Sequence, residues 1–502
     1  MRDTIVVKER RIRVPYDYDG RTLKRVWDEW QNVVINRRIT LHNYYLGDQA
    51  IYSTKTKGAH IVVNFSRMAV DTLAEYMVGE SPEYVCDNDD AHGEDIIDCM
   101  KQQGLPDMEV DNLKVLGKLG ISYELVYHSG DPGDKNVSPQ DTTDDVRSIF
   151  LDPLSTFVAW DYSAAPDSVF GAYARCVEEN NKTTTCYLDL YKTNTIEHWK
   201  AISTPKEPAF DSFFLDDEQP VQIHNFGRVP IIEYHTDDFY TSDIETIISL
   251  QDSYNASISD CQDSEDAFAN AILVSKGTAF IDSFDTERTE SEKTDEAMQK
   301  LKDDKYVRLP PEGELNYLIK QTNASDSKIH MDNVESHLRD VSRIPNFNDD
   351  AFAGNASGVA LKLKLYHLNL KAQARERSYS KGVKRRFKLY AAGLENATNA
   401  LNFKPLANID TMRISFHMTS INDPLNISQT AQTWKQTALY SDQTIREQMG
   451  LGVDEDEEEK RLEEQDAKTL SREKQMYSDE FANTSDNVGQ IEDNQDMIDG
   501  NS

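Results

Sequence analysis

Charged side chains of one sign recur at a regular spacing between residues 359 and 388. This stretch holds ten Lys or Arg and one acid, Glu376, in a chain of formal net charge -34. At 100° per residue, Arg377, Lys381, Lys384 and Lys388 follow steps of four, three and four and make one cationic stripe. Two chemistries are open to it: a solvated face or partner for acidic neighbours, or a surface that sees nucleic-acid phosphates. Catalytic chemistry is harder to find. No GxxxxGK[ST] loop occurs, and Gly117-Lys118 lacks both the upstream glycine and the following Ser/Thr. GxGxxG, HExxH and GxSxG are missing, and the 11 histidines do not pair at metal-ligand spacing. The 88 Asp and Glu could assemble a two-metal nuclease, but in so acidic a chain that argument has little specificity. No catalytic, cofactor or metal constellation emerges, and an assembly protein is the better reading than an enzyme.

The cations are carried by a proline-free stretch, residues 357–401, closed off by Pro405. Its opening, Leu361-Lys362-Leu363-Lys364-Leu365, alternates like a strand. Tyr366 breaks that phase and the helix formers at 371–375 follow, so the pattern predicts one long helix, bent near Gly382. Its first half has two apolar stripes, Val359, Leu363, Tyr366 and Leu370 against Leu361, Leu365, Leu368 and Ala372. A helix apolar on two sides packs between two neighbours. Its second half has one, Val383, Phe387, Tyr390 and Leu394.

At 502 residues the chain should hold two to four structural units. Net charge -34 argues against a protein that coats DNA, which needs a basic footprint, but not against one that lets DNA pass. The five cysteines, Cys86, Cys99, Cys176, Cys186 and Cys261, form no CxxC pair and read as reduced cytosolic thiols. The longest charge-free apolar segment, 267–275, falls far short of a membrane span.

Along the chain, 1–20 reads as an arm, and 21–38 and 64–78 as helices, with a loop at Tyr44-Tyr45-Leu46-Gly47. A short helix at 113–119 precedes a strand at 121–127. Short β-prone runs at 157–160, 170–176, 184–191 and 195–199 suggest a meandering sheet. Residues 241–266 are helical, with seven acids and no Lys or Arg, either a solvated face or one that repels an anion. Strands are expected at 306–309 and 315–319, a helix at 325–343, a strand at 411–418 and helices at 427–439, 442–449 and from 454. The tail beyond 475 lacks Lys and Arg and reads as disordered.

Four collinear stretches carry a family resemblance: Phe226-Gly227-Arg228-Val229-Pro230-Ile231-Ile232 leading into a helix near Ser242; the loop 344–358 followed by Val359-Ala360-Leu361; Ser441-Asp442-Gln443-Thr444-Ile445-Arg446-Glu447-Gln448; and the acid run Asp454-Glu455-Asp456-Glu457-Glu458-Glu459 with Lys460-Arg461-Leu462-Glu463-Glu464. In this order the chain resembles the portal proteins of tailed bacteriophages, of siphovirus type. The resemblance implies an α+β subunit with an α/β wing (1–240), a two-helix stem (241–266 and 325–343), a small α/β clip (267–324), a tunnel loop (344–358), a long tunnel helix with a returning wing strand (359–422), a helical crown (423–475) and a disordered acidic tail (476–502). It also implies a homo-oligomeric ring of about twelve copies at one capsid vertex of the virion, assembled in the host cytoplasm. Double-stranded DNA would pass through it during packaging, retention and ejection. Capsid or scaffold proteins, the terminase large subunit and a head-tail adaptor would be its partners, with no membrane and no nucleotide hydrolysis.

By that resemblance Lys328, Arg339, Arg343, Asn346, Asn348, Asn355, Ser357, Lys362 and Lys364 would line the DNA tunnel. Val359, Leu361, Leu363, Leu365, Tyr366 and Leu368 would form the subunit interface while also packing the fold. The rival readings are a metal-dependent DNA-processing enzyme and another head or neck structural protein.

Overall fold

The computed structural model describes residues 10–55, 57–79, 81–86, 91–129, 146–178, 183–204, 210–219, 221–269, 272–276, 314–318, 324–347, 358–396, 409–416 and 424–437, with a few single positions besides. The expected strand at 306–309, the loop residues Asn348, Asn355 and Ser357, the side chains of Val359 and Leu361, the helices from 442 onward as continuous elements and the tail lie outside this set. The chain divides into two units, Met1–Asn355 with Leu363–Thr419, and Ala356–Lys362 with Ser420–Ser502.

In the first unit β1 (Ile12–Arg13) leads to α1 (Gly20–Glu29), whose Asp19 cap accepts from the Thr22 N–H at 2.8 Å. A π-helical turn, Trp30–Ile35, carries the helix straight into α2 (Asn36–Leu46). The expected loop at Tyr44-Tyr45-Leu46 is therefore the last helical turn. It ends where Gly47 takes φ 93°, with Asp48 N–H returning to Asn43 O and Gly47 N–H to Tyr44 O. Then come α3 (Ile51–Thr54), α4 (Phe65–Met77), β2 (Glu83–Cys86), α5 (Ala91–Gln102) and α6 (Leu105–Leu119). Sequence periodicity recovers only the second half of α6 and misses α5. Gly120, at φ 80°, stops α6 where an added Cβ would lie 2.0 Å from Tyr240 O.

The strands follow as β3 (Ile121–His128), β4 (Val146–Leu151), β5 (Thr156–Trp160), β6 (Ser168–Glu178), β7 (Thr184–Tyr191), β8 (Thr195–Ser203), β9 (Phe214–Leu215), β10 (Gln222–Ile223) and β11 (Ile231–His235). One sheet runs β1-β5-β6-β7-β8-β10, with β9 also on β8; a second runs β11-β3-β4. The meander is thus observed, with β7 at its expected bounds. Leu23, Val26, Trp27 and Trp30 bury against Phe157, Phe170 and Leu188 to make the core of the large sheet. β3 does not alternate between core and solvent. Tyr123 and Leu125 enter one core and Val126 another, because the strand lies between two packed layers.

Cys176 and Cys186 are register partners on β6 and β7, with Cα atoms 4.0 Å apart, and are joined by a disulfide. The reading of five reduced thiols is corrected here: ten residues of separation across a tight antiparallel pair bring these two together, a pairing no CxxC spacing announces. Cys86, Cys99 and Cys261 take part in no disulfide.

Beyond β11 the unit contains α7 (Ile248–Ala269), β12 (Ile272–Lys276) paired antiparallel with β13 (Glu314–Leu318), α8 (Ala324–Ser342), the long helix α9 (Gly358–Asn396), which begins in the second unit, and β14 (Met412–Ser415) paired with β2. α7 starts later than expected, because 243–247 form turns. In the second unit α10 spans Pro424–Thr437. The fold is α+β, as read from the sequence. Gly382, the position at which a bend is expected, is where the Tyr234 ring lies on the helix, and a Cβ would fall 2.3 Å from it.

Candidate functional site

α9 is the element around which the largest core cluster and the buried ion pairs are arranged. Leu365, Leu368, Ala372, Tyr379, Val383 and Tyr390 recur at steps of three, four or their sum and are buried in one core with α4, α5, α6 and β14. Arg375 and Arg386 fall on this same face and are buried with them. A buried guanidinium is tolerated only when paired and fully hydrogen-bonded.

Arg386 meets that requirement with partners from four other elements. Its Nε donates to both Glu124 oxygens at 2.7 and 2.9 Å, and Nη1 to Glu109 at 2.5 Å and to the Tyr84 hydroxyl at 2.9 Å. Nη2 donates to the Tyr234 hydroxyl at 2.9 Å, while Tyr234 itself donates to Glu124 at 2.6 Å. Tyr379 donates to Glu109 and accepts from Asn112 at 2.6 Å. Burial alone would discharge Arg386, but the Glu109 and Glu124 carboxylates outweigh it and hold the guanidinium firmly protonated. Burial pushes the hydroxyls of Tyr84, Tyr234 and Tyr379 well above the usual phenol range, so they act as donors.

About three turns nearer the N-terminus of α9, Asp243 receives Arg375 Nη2 at 2.9 and 3.0 Å and Lys371 Nζ at 3.0 Å. Lys371 also donates to Ser342 O at 3.0 Å, which ties the end of α8 to α9. Burial raises the Asp243 pKa, but Arg375 and then Lys371 reverse that and leave it below the usual carboxylate value. The basic island of the sequence is therefore two populations. Lys371, Arg375 and Arg386 hold the subunit together, while Arg377, Lys381 and Lys384 are exposed. Sequence reasoning singled out the second group and missed the first. The available signal was position: Arg375 and Arg386 keep the three-four phase of the apolar residues around them.

The acidic helix is resolved in the same way. Glu245 meets Arg37 at 2.6 Å, Asp252 accepts from the Tyr44 hydroxyl at 2.9 Å, and Asp260 and Asp263 share Lys55 at 3.0 and 2.7 Å. The inner side of α7 also holds an extended segment by its backbone. Asn255 accepts from Val63 N–H at 3.1 Å, Ser259 from Ile61 N–H at 3.0 Å and Asp263 from Ala59 N–H at 2.7 Å. Four residues of helix advance about 6 Å and two of extended chain about 6.6 Å, so the two spacings match. Most of the acids first read as a solvated or repelling face have partners within the subunit.

The residues expected to line a tunnel separate as follows. Lys328, Arg343, Asn346 and Lys362 are exposed, and Lys364 is half-buried. Arg339 is instead engaged within the subunit, 2.7 Å from Glu335 and 5.9 Å from the Phe65 ring centroid. Arg343 terminates α8 at φ 62°, with Ile344 N–H returning to Arg339 O and Arg343 N–H to Asp340 O. Of the residues expected at a subunit interface, Leu365 and Leu368 are 7% and 0% exposed and belong to this subunit's own core. Leu363 and Tyr366 are 69% and 52% exposed, and Leu370, on the same stripe, 39%. Among the described residues no group of three or more His, Cys, Asp or Glu is disposed to hold a metal ion. No described helix is long and apolar enough to cross a membrane.

A "Portal protein" of Bacillus phage SPP1 is 20% identical over 446 residues, which cover 87% of this chain and 81% of that protein. A chain from the neck of an empty GTA particle computed with C6 symmetry aligns with a TM-score of 0.40 and 13% identity, over 81% of this chain and 98% of that one. Residues 23–472 match the family described as "Phage portal protein, SPP1 Gp6-like", and the chain belongs to that family of bacteriophage head-tail connector proteins.

Proposed function

We propose that this chain assembles into a closed ring at one vertex of the virion capsid, through which double-stranded DNA is packaged, retained and ejected. The observation that carries this reading is the division of α9. One apolar stripe is consumed by the subunit's own core, while Leu363, Tyr366 and Leu370 remain exposed at 69%, 52% and 39%. Three large apolar side chains in line on a helix are costly to leave in water and suit a neighbouring copy. In this reading α7 and α8 form the stem, the β12–β13 pair belongs to the clip, 1–240 with β14 is the wing, and 423–475 is the crown. Lys328, Arg343 and Asn346, which are exposed, face the channel in this reading. The clip docks the terminase large subunit and later the head-tail adaptor, and the ring contacts capsid or scaffold proteins.

The family is structural, and the proposal assigns the chain no hydrolytic step. With the charge of -34, few phosphates are neutralised per subunit and DNA is conducted rather than gripped. Electron microscopy of the purified chain tests the reading. Rings with a central hole are expected, and a homogeneous population of compact monomers at micromolar concentration contradicts it.

A further inference from the structure

The large sheet has two dissimilar edges, and neither is used by the surfaces assigned above. At one edge is β1, and residues 10–13 hold Arg10, Arg11 and Arg13 with no acid. Arg10 and Arg13 are exposed and enter no ion pair among the described residues. Arg11, by contrast, turns to the Tyr240 hydroxyl at 3.3 Å and lies near Glu233 and Asp238. At the other edge are β9 and β10. There Phe214 and Ile223 are 44% and 67% exposed, and the turn between the two strands presents Asp217 and Glu218 to solvent. One edge is cationic; the other is apolar with an acidic rim.

The edges also match in level and direction. Gln222 pairs with Ile196, Ile196 with Tyr191, Tyr191 with Gly171 and Gly171 with Val158. Val158 is the neighbour of Ala159, which pairs with Ile12. β1 is parallel to β5, and four antiparallel steps lead from β5 to β10, so β1 and β10 run the same way. A head-to-tail operation between copies, the kind that closes a ring, therefore sets β10 of one copy beside β1 of the next as a parallel pair of short edges.

We propose that the β9–β10 edge of each subunit docks on the β1 edge of its neighbour, with Asp217 and Glu218 facing Arg10 and Arg13. This deepens the ring reading and rests on it. Opposite charges on unlike edges favour this contact and disfavour edge-to-edge pairing of like with like, which an exposed strand edge otherwise invites.

The test uses the full-length chain. Arg10→Glu with Arg13→Glu, and separately Asp217→Lys with Glu218→Lys, should each raise the concentration needed for ring assembly by about tenfold or more in low salt. Combining all four should bring it back to within about threefold of the parent. In a second arm, Arg13→Cys with Ile223→Cys should give an oxidation-dependent ladder of covalent oligomers that neither single-cysteine variant gives. Circular dichroism and the melting midpoint confirm that each variant is folded. Intact rings with unshifted assembly and no ladder overturn the edge contact while leaving the ring reading in place. A parent chain that forms no rings overturns the ring reading itself, and the edge contact with it.

Discussion

α7 and α9 carry opposite charge and use it in the same way. In α7 the acids and amides that face inward meet Lys55, Tyr44 and the backbone of residues 59–63. In α9 the cations that face inward meet Asp243, Glu109 and Glu124. The difference lies in depth. The α9 pairs are sealed from water, whereas Asp260 on α7 remains 75% exposed at its side chain. Charge in the interior of this chain is thus structural, and only the outward remainder of each helix is available to a partner. For a protein of net charge -34, surface character cannot be taken from a count of charges along a helix.

The deepest pair should give the largest effect. Arg386→Met leaves Glu109 and Glu124 buried without their cation and should cost about 3–5 kcal/mol in denaturant unfolding. A loss below about 1 kcal/mol would mean that the network is hydrated. Asp243 comes next, through pH. Its folded pKa lies below the ordinary 3.8, so its ion pairs stabilise fully above about pH 4 and the contribution is lost as pH falls through the lower folded value. Asp243→Asn should therefore be clearly less stable than the parent at pH 7, and the gap should narrow in acid. A gap that stays constant down to pH 3 would remove the assignment. The α7 ladder is shallower, and Asn255→Ala should cost about 1–3 kcal/mol by orphaning the Val63 N–H. Hydrogen exchange should quicken at Val63 and Ile61 before it does elsewhere; uniform quickening would argue against a local ladder.

Much of this was legible in the sequence, for reasons visible in particular residues. Val383, Phe387 and Tyr390 announce a buried face by spacing alone, and the β-prone runs between 157 and 199 announce a meander. The two roles of the basic island were not legible by composition. Arg386 finds Glu124 and Glu109 across separations of 262 and 277 residues, which local pattern does not reach. Helix α5 was missed, and the Cys176–Cys186 pair was hidden for another reason: strand register, not cysteine spacing, makes it. The two-sided apolar pattern at 359–372 was legible as a pattern. Which side packs into the fold and which stays exposed required the core to be seen.

That division is the centre of the account, and one paired measurement addresses it. Sedimentation velocity and melting should be compared for Leu363→Asp and Leu365→Asp. Leu363→Asp should melt as the parent does, yet sediment as subunits rather than rings. Leu365→Asp, which buries an unpaired carboxylate, should lose several kcal/mol of stability and yield little folded protein. Intact rings from Leu363→Asp, or a fully stable Leu365→Asp subunit, would contradict the assignment of one stripe to the neighbour and the other to the core.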